Sequence, residues 1–117
     1  MRVLYIDIDS ARPDHLGCYG YARPTSPVID EIAASGTVFT NAHVSDNPCN
    51  PSRASLFSAR FGILNGVVGH IGPAQHLRYA GEGHFHDPDA PMWMRYLQEQ
   101  GWNTVSFSGF AQRHLSW

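Results

Sequence analysis

The segment Cys49-Asn50-Pro51-Ser52-Arg53 puts a nucleophile, a proline and a guanidinium within five residues. The residues that follow it have the pattern of a helix. A nucleophile at a helix N-terminus meets backbone N–H groups that have no partner inside the helix, and the positive end of the helix dipole. Both favour an anion, either a thiolate or a bound tetrahedral oxyanion. Arg53, one turn later, can point at the same place and offer charge-assisted hydrogen bonds. Pro51 stiffens the first turn. Without chemistry, the same residues are a buried cysteine ahead of an ordinary helix, with Arg53 on its solvated face.

Other residues offer further chemistry. Asp7 and Asp9 lie at the end of an apolar run. Asp7 also reads as a strand-end carboxylate bonded to backbone N–H groups. His70 follows the nucleophile helix in a glycine-rich loop, where it could reach an anion, move a proton, or simply be solvated. His84, His86, Asp87 and Asp89 mimic a metal cluster, but loop solvation and helix capping by Asp89 account for them better. Trp93 and Trp102 read as core residues.

These groups need elements to position them. Residues 2–8 read as a buried strand ending in acid, and residues 9–27 are turn-rich. A helix follows, capped by Thr25 or Ser26, with Pro27 in its first turn and Gly36 closing it. Val28, Ile29, Ile32 and Ala33 form its apolar face. Residues 37–44 read as a second strand and 45–48 as a loop. Residues 51–60 read as the nucleophile helix, packed through Ala54, Leu56 and Phe57. Residues 61–91 are long and poor in pattern, which usually marks function or disorder. A helix then runs to Gln100, with Met92, Trp93, Tyr96 and Leu97 as its buried stripe and Gly101 as its stop. Residues 103–107 read as a third strand. Strands alternating with helices argue an α/β unit with a parallel sheet, whose active site lies beyond the carboxyl ends of the strands. The acidic end of the first strand and the Cys49 loop both fall on that edge.

Composition narrows the partners. The chain has 117 residues, enough for one globular unit with a modest core. A formal net charge of -2 gives no reason to expect a nucleic-acid partner. All eight basic residues are arginines, the better bidentate partners for oxyanions, although genome composition produces the same bias. No apolar run approaches the ~20 residues of a membrane span. No basic-then-apolar leader is visible, so the expected location is cytoplasmic, with Cys18 and Cys49 reduced.

The run Cys49-Asn50-Pro51-Ser52-Arg53-Ala54-Ser55-Leu56-Phe57-Ser58-Ala59-Arg60 resembles the sulfatase signature, which centres on Cys-x-Pro-Ser-Arg and ends near Thr-Gly-Arg. The opening segment, from Val3-Leu4-Tyr5-Ile6-Asp7-Ile8-Asp9 through Arg12-Pro13-Asp14-His15 to Gly17-Cys18-Tyr19-Gly20, is similar to the family's first strand and the turn after it. Pro24-Thr25-Ser26-Pro27, Gly36-Thr37-Val38-Phe39 and Gly101-Trp102-Asn103-Thr104 resemble later blocks, in family order.

The resemblance implies an alkaline-phosphatase-like α/β fold, with a mostly parallel sheet flanked by helices. Residues 1–117 would be the N-terminal part of a single catalytic domain that ends before the family's later ligands, so the isolated chain is expected to have an incomplete site and little activity. It implies conversion of Cys49 to formylglycine by the formylglycine-generating enzyme. The hydrated aldehyde would then attack the sulfur of a small-molecule sulfate ester in line. Arg53 would steady it and stabilise charge. A divalent metal, Ca2+ foremost with Mg2+ or Mn2+ as substitutes, would lie on Asp9, with Asp7 and the modified Cys49 as further ligands.

The sequence departs from the pattern in places. Ser10 stands where many sulfatases have a second aspartate. Pro48, Asn50 and Ser58-Ala59 differ from the strict signature. The family's Lys-x-His pair is replaced at best by Arg113-His114, with His114 as the candidate catalytic histidine. Two alternatives stay open: a phosphonate monoester or phosphodiester hydrolase of the same superfamily, and a non-catalytic sulfatase-like domain. Self-association through an exposed sheet edge is also expected.

Overall fold

A helix begins where its first amides can go unpartnered and ends where the backbone turns aside, and such signals bound the elements here. The computed structural model describes residues 1–70 and 92–107. The chain divides into two compact units, Met1–His43 and Val44–Trp117.

In the first unit, short 3-10 turns at Pro13–His15 and Gly17–Tyr19 precede helix α1, Pro27–Ser35. Pro27 opens α1, where its missing N–H costs nothing. Ser26 is the N-cap residue, but its hydroxyl does not cap the helix. It donates instead to Asp30 Oδ1 (3.0 Å) and accepts from the Gly17 N–H (2.9 Å). The Cys18 N–H also reaches Asp30 Oδ1, at 2.7 Å. A polar anchor thus fixes α1 to the Gly17–Tyr19 turn. The expected apolar face is not its packing face: Val28 and Ile32 are exposed. Gly36 follows the last helical residue, but in an extended rather than left-handed conformation.

The second unit holds α2 (Cys49–Ser58), α3 (Gly62–Asn65) and α4 (Trp93–Glu99). Its core is small and comes from α2 and the chain after α3: Ala54, Phe57 and Val67 are buried. The Phe57 and Trp93 rings lie 6.2 Å apart, a tilted aromatic pair that joins α4 to α2. Of the residues expected to pack α2, Leu56 instead faces solvent, and the inward positions go to Ser55 and Ser58. Tyr96, expected in the buried stripe of α4, is likewise exposed. Helix α4 closes with Gly101 at φ 83, which lets Gly101 N reach Gln98 O (2.9 Å) and Trp102 N reach Leu97 O (3.0 Å). Asp89, the expected cap of this helix, lies outside the described residues.

The sequence leads one to expect strands at 2–8, 37–44 and 103–107, but no strand forms among the described residues. A strand exists only through hydrogen bonds to a neighbour, and an isolated stretch of high β-propensity has none to make. Its apolar side chains then stay in water: Leu4, Ile6, Phe39 and Phe107 are all exposed. The described helices include none long and apolar enough to cross a membrane.

Candidate active site at the N-terminus of α2

Cys49 is the first residue of α2, two residues earlier than the helical pattern suggests. Pro51 therefore sits third in the helix, still among the amides that need no intrahelical acceptor. The Ser52 N–H closes the first turn on Pro48 O at 3.1 Å. Cys49 is exposed and its thiol is free, as is that of half-buried Cys18. Burial above all, and then the Asp30 carboxylate, raises the Cys18 thiol above its ordinary range, which lowers its thiolate fraction.

His70 comes back to this helix end. Its Nε2 lies 3.3 Å from Cys49 Sγ and 3.5 Å from the backbone N of Asn50. With Nε2 unprotonated, it accepts from the thiol and from the Asn50 N–H; with the ring charged, Nε2 donates to sulfur. Asn50, one of the departures from the signature, has a clear task. It is buried, and its side-chain amide donates to Gly69 O at 3.2 Å, fastening the His70 loop to the first turn of α2.

The loop before Cys49 is held from the other side by Asp46. Its Oδ2 accepts from the Ser55 hydroxyl at 2.6 Å and its Oδ1 from the Gly62 N–H at 3.0 Å. The Ser55 bond is the main cause that holds the Asp46 carboxyl below its ordinary value; partial burial opposes it, and bonds from Ser45 and the Gly62 N–H add to it. Arg53 is half-buried on α2, one turn after Cys49. The helix stops at Ala59, which adopts the left-handed conformation at φ 53. The signature's glycine falls at this position, which explains why a residue without Cβ belongs there.

Asp7 and Asp9 belong to the first unit. The Ser10 hydroxyl donates to Asp9 Oδ2 at 3.2 Å, and Ser10 itself is left-handed at φ 57. Just beyond, Arg12 grips Asp14 through Nη2–Oδ2 (2.6 Å) and Nε–Oδ1 (3.0 Å), with His15 Nδ1 3.1 Å from Asp14 Oδ1. That holds the Asp14 carboxyl at about 2, through Arg12 first and His15 second.

Among the described residues, no three of His, Cys, Asp and Glu converge as a metal site would require. His84, His86, Asp87, Arg113 and His114 lie outside the described residues. Of the expected site residues, the structure brings Cys49 and His70 together, with Arg53 on the same helix. Asp46, Ser55 and Asn65, which frame the pair, were not singled out from the sequence. They are scattered singly along the chain and carried no pattern there.

The chain matches the family model "Sulfatase" over residues 2–116. It belongs to the sulfatase family, a membership that implies the alkaline-phosphatase-like fold. It is 32% identical to the ulvan-active sulfatase of Formosa agariphila over 77 residues, 65% of this chain and 15% of that protein. It is 37% identical to arylsulfatase A of Homo sapiens over 65 residues, 56% of this chain and 13% of that protein. With the steryl-sulfatase of Rattus norvegicus it shares 31% identity over 102 residues, 86% of this chain and 17% of that protein. The chain thus spans well under a quarter of the length of these relatives. No solved structure matches it.

Proposed function

We propose that this chain carries the nucleophile-bearing segment of a sulfate-ester hydrolase. The observation that supports this most directly is the exposed side chain of Cys49 at the first turn of α2, with His70 Nε2 3.3 Å away, inside the matched region. Conversion of Cys49 to formylglycine would supply a hydrated aldehyde as nucleophile there. His70 is then placed to take or return a proton at the side chain of residue 49. The positive end of the α2 dipole and Arg53 would bind the ester's oxyanions and the charge that develops on them.

A divalent cation, Ca2+ foremost with Mg2+ or Mn2+ as substitutes, is part of this reading. Asp9 and Asp7 are oxygen donors of the right type. A Ca2+ ion takes about six to eight such ligands, so these two would supply only a share. The same proposal places the sheet at residues 2–8, 37–44 and 103–107, formed when neighbouring strands are present, and assigns the remaining ligands to sequence that the longer relatives have and these residues lack.

A second reading fits one observation as well as the first does. Ser10, not a second aspartate, follows Asp9 and donates to it, which suits a phosphodiester or phosphonate hydrolase of the superfamily equally well.

Mass spectrometry of the peptide holding Cys49, taken from the native host, tests the first step. An aldehyde at residue 49 is expected, and a wholly unmodified thiol would overturn the formylglycine reading and favour a non-catalytic domain. Rates of the native protein on an aryl sulfate and an aryl phosphodiester then decide between the two hydrolases.

A further inference from the structure

The second unit also holds a hydrogen-bond network that the proposed chemistry does not use. Asn65, the last residue of α3, is fully buried. Its Nδ2 lies 2.9 Å from Arg60 O and 3.3 Å from both Ser55 Oγ and Ser58 Oγ. Its Oδ1 accepts the Val67 N–H at 2.8 Å. Ser55 in turn donates to Asp46. A continuous path therefore links Asp46, just before the nucleophile, through Ser55 and Asn65 to Val67, just before His70.

Gly62 marks where the two ends meet. A Cβ on it would lie 2.6 Å from Asp46 Oδ1 and 2.8 Å from Val67 O, so the loop leading to Cys49 and the loop leading to His70 converge where only glycine fits. Buried polar groups are costly unless satisfied, and a satisfied network selects one arrangement of the chain over its neighbours. None of Asp46, Ser55 and Asn65 is within hydrogen-bonding range of Cys49 Sγ in this arrangement; they act on what carries it.

We propose that Asp46, Ser55 and Asn65 are positioning residues that set the separation of Cys49 and His70. The proposal rests on the reading that residue 49 carries the chemistry, but its test does not use turnover. The chain is prepared with the Cys49 thiol unconverted and Cys18→Ser as parent, and the rate of alkylation by iodoacetamide is measured at one fixed pH. His70→Ala gives the rate with the contact removed. Ser55→Ala is expected to shift the rate in the same direction as His70→Ala, by about fivefold, the rate equivalent of one ordinary hydrogen bond. Ser55→Thr, which keeps the hydroxyl, is expected to restore it. A parent-like rate in folded Ser55→Ala, or in His70→Ala, would overturn the proposal. If Ser55→Ala loses its helical circular dichroism, Asp46→Asn is read in its place by the same criterion, and loss of folding in both would also overturn it, since the network would then be structural only. An unmodified Cys49 in the native host would sink the sulfatase reading and leave this result standing.

Discussion

His70 Nε2 stands 3.3 Å from Cys49 Sγ, although 21 residues of chain separate the two. The contact joins the first turn of α2 to a loop whose glycines gave no clue to where the histidine would fall.

The first expectation concerns that contact. In the native, modified protein, His70→Ala should lower kcat by about 10²-fold or more if His70 moves a proton at residue 49. His70→Gln, which hydrogen-bonds but does not titrate near neutrality, should recover little. A kcat within about twofold of wild type for His70→Ala, measured on an aryl sulfate, would remove His70 from proton transfer.

Ala59 offers a stabilising change. Its φ of 53 is a conformation that residues with a Cβ rarely adopt. Ala59→Gly should therefore raise stability by about 0.5–1 kcal/mol, net of the entropy that glycine adds to the unfolded chain. Urea unfolding followed by circular dichroism checks it; unchanged or lower stability would contradict the strain argument.

Phe57 tests the core. It is almost fully buried on α2 and faces the Trp93 ring. Phe57→Ala should cost about 3 kcal/mol or more and weaken the Trp93 near-ultraviolet signal. Leu56→Ala, one residue away and half exposed, should cost far less.

Asp14 offers a local pH probe in the first unit. Its carboxyl is held at about 2 by Arg12 first and His15 second. A depressed folded-state value means that the stabilisation is full above the ordinary carboxylate range and is lost as pH falls toward about 2. Titration of the Asp14 carboxyl by NMR should show this midpoint, and Arg12→Ala should move it up toward the ordinary 3.8. The pair is solvent-exposed, so its contribution to global stability is small.

The helices were largely legible because their signals are local. Pro27 and Gly101 mark ends through their own backbone chemistry, independent of what packs nearby. The faces of those helices were less legible. Val28 and Ile32 have the spacing of a packing stripe, yet α1 is anchored through Ser26 and Asp30. Ser55 and Ser58 look like solvent residues but turn inward, because Asp46 and Asn65 satisfy them. Periodicity reports hydrophobicity and is blind to polar groups buried in pairs. Strands were the least legible element, since their existence depends on neighbours far along a chain. Cys49 stood out as a candidate nucleophile only with the blocks around its five-residue motif, and His70 could be named but not placed.

The bond from Asn50 to Gly69 O gives the site a mechanical property. Helix ends fray, and a fluctuation that lifts the first turn of α2 would ordinarily carry a nucleophile away from any group on another segment. Here the histidine's loop is tied to that same turn, so the two travel as one body. Their separation is buffered against such common displacement, which leaves shear of the loop against the helix and rotation of the two side chains as the motions that change it.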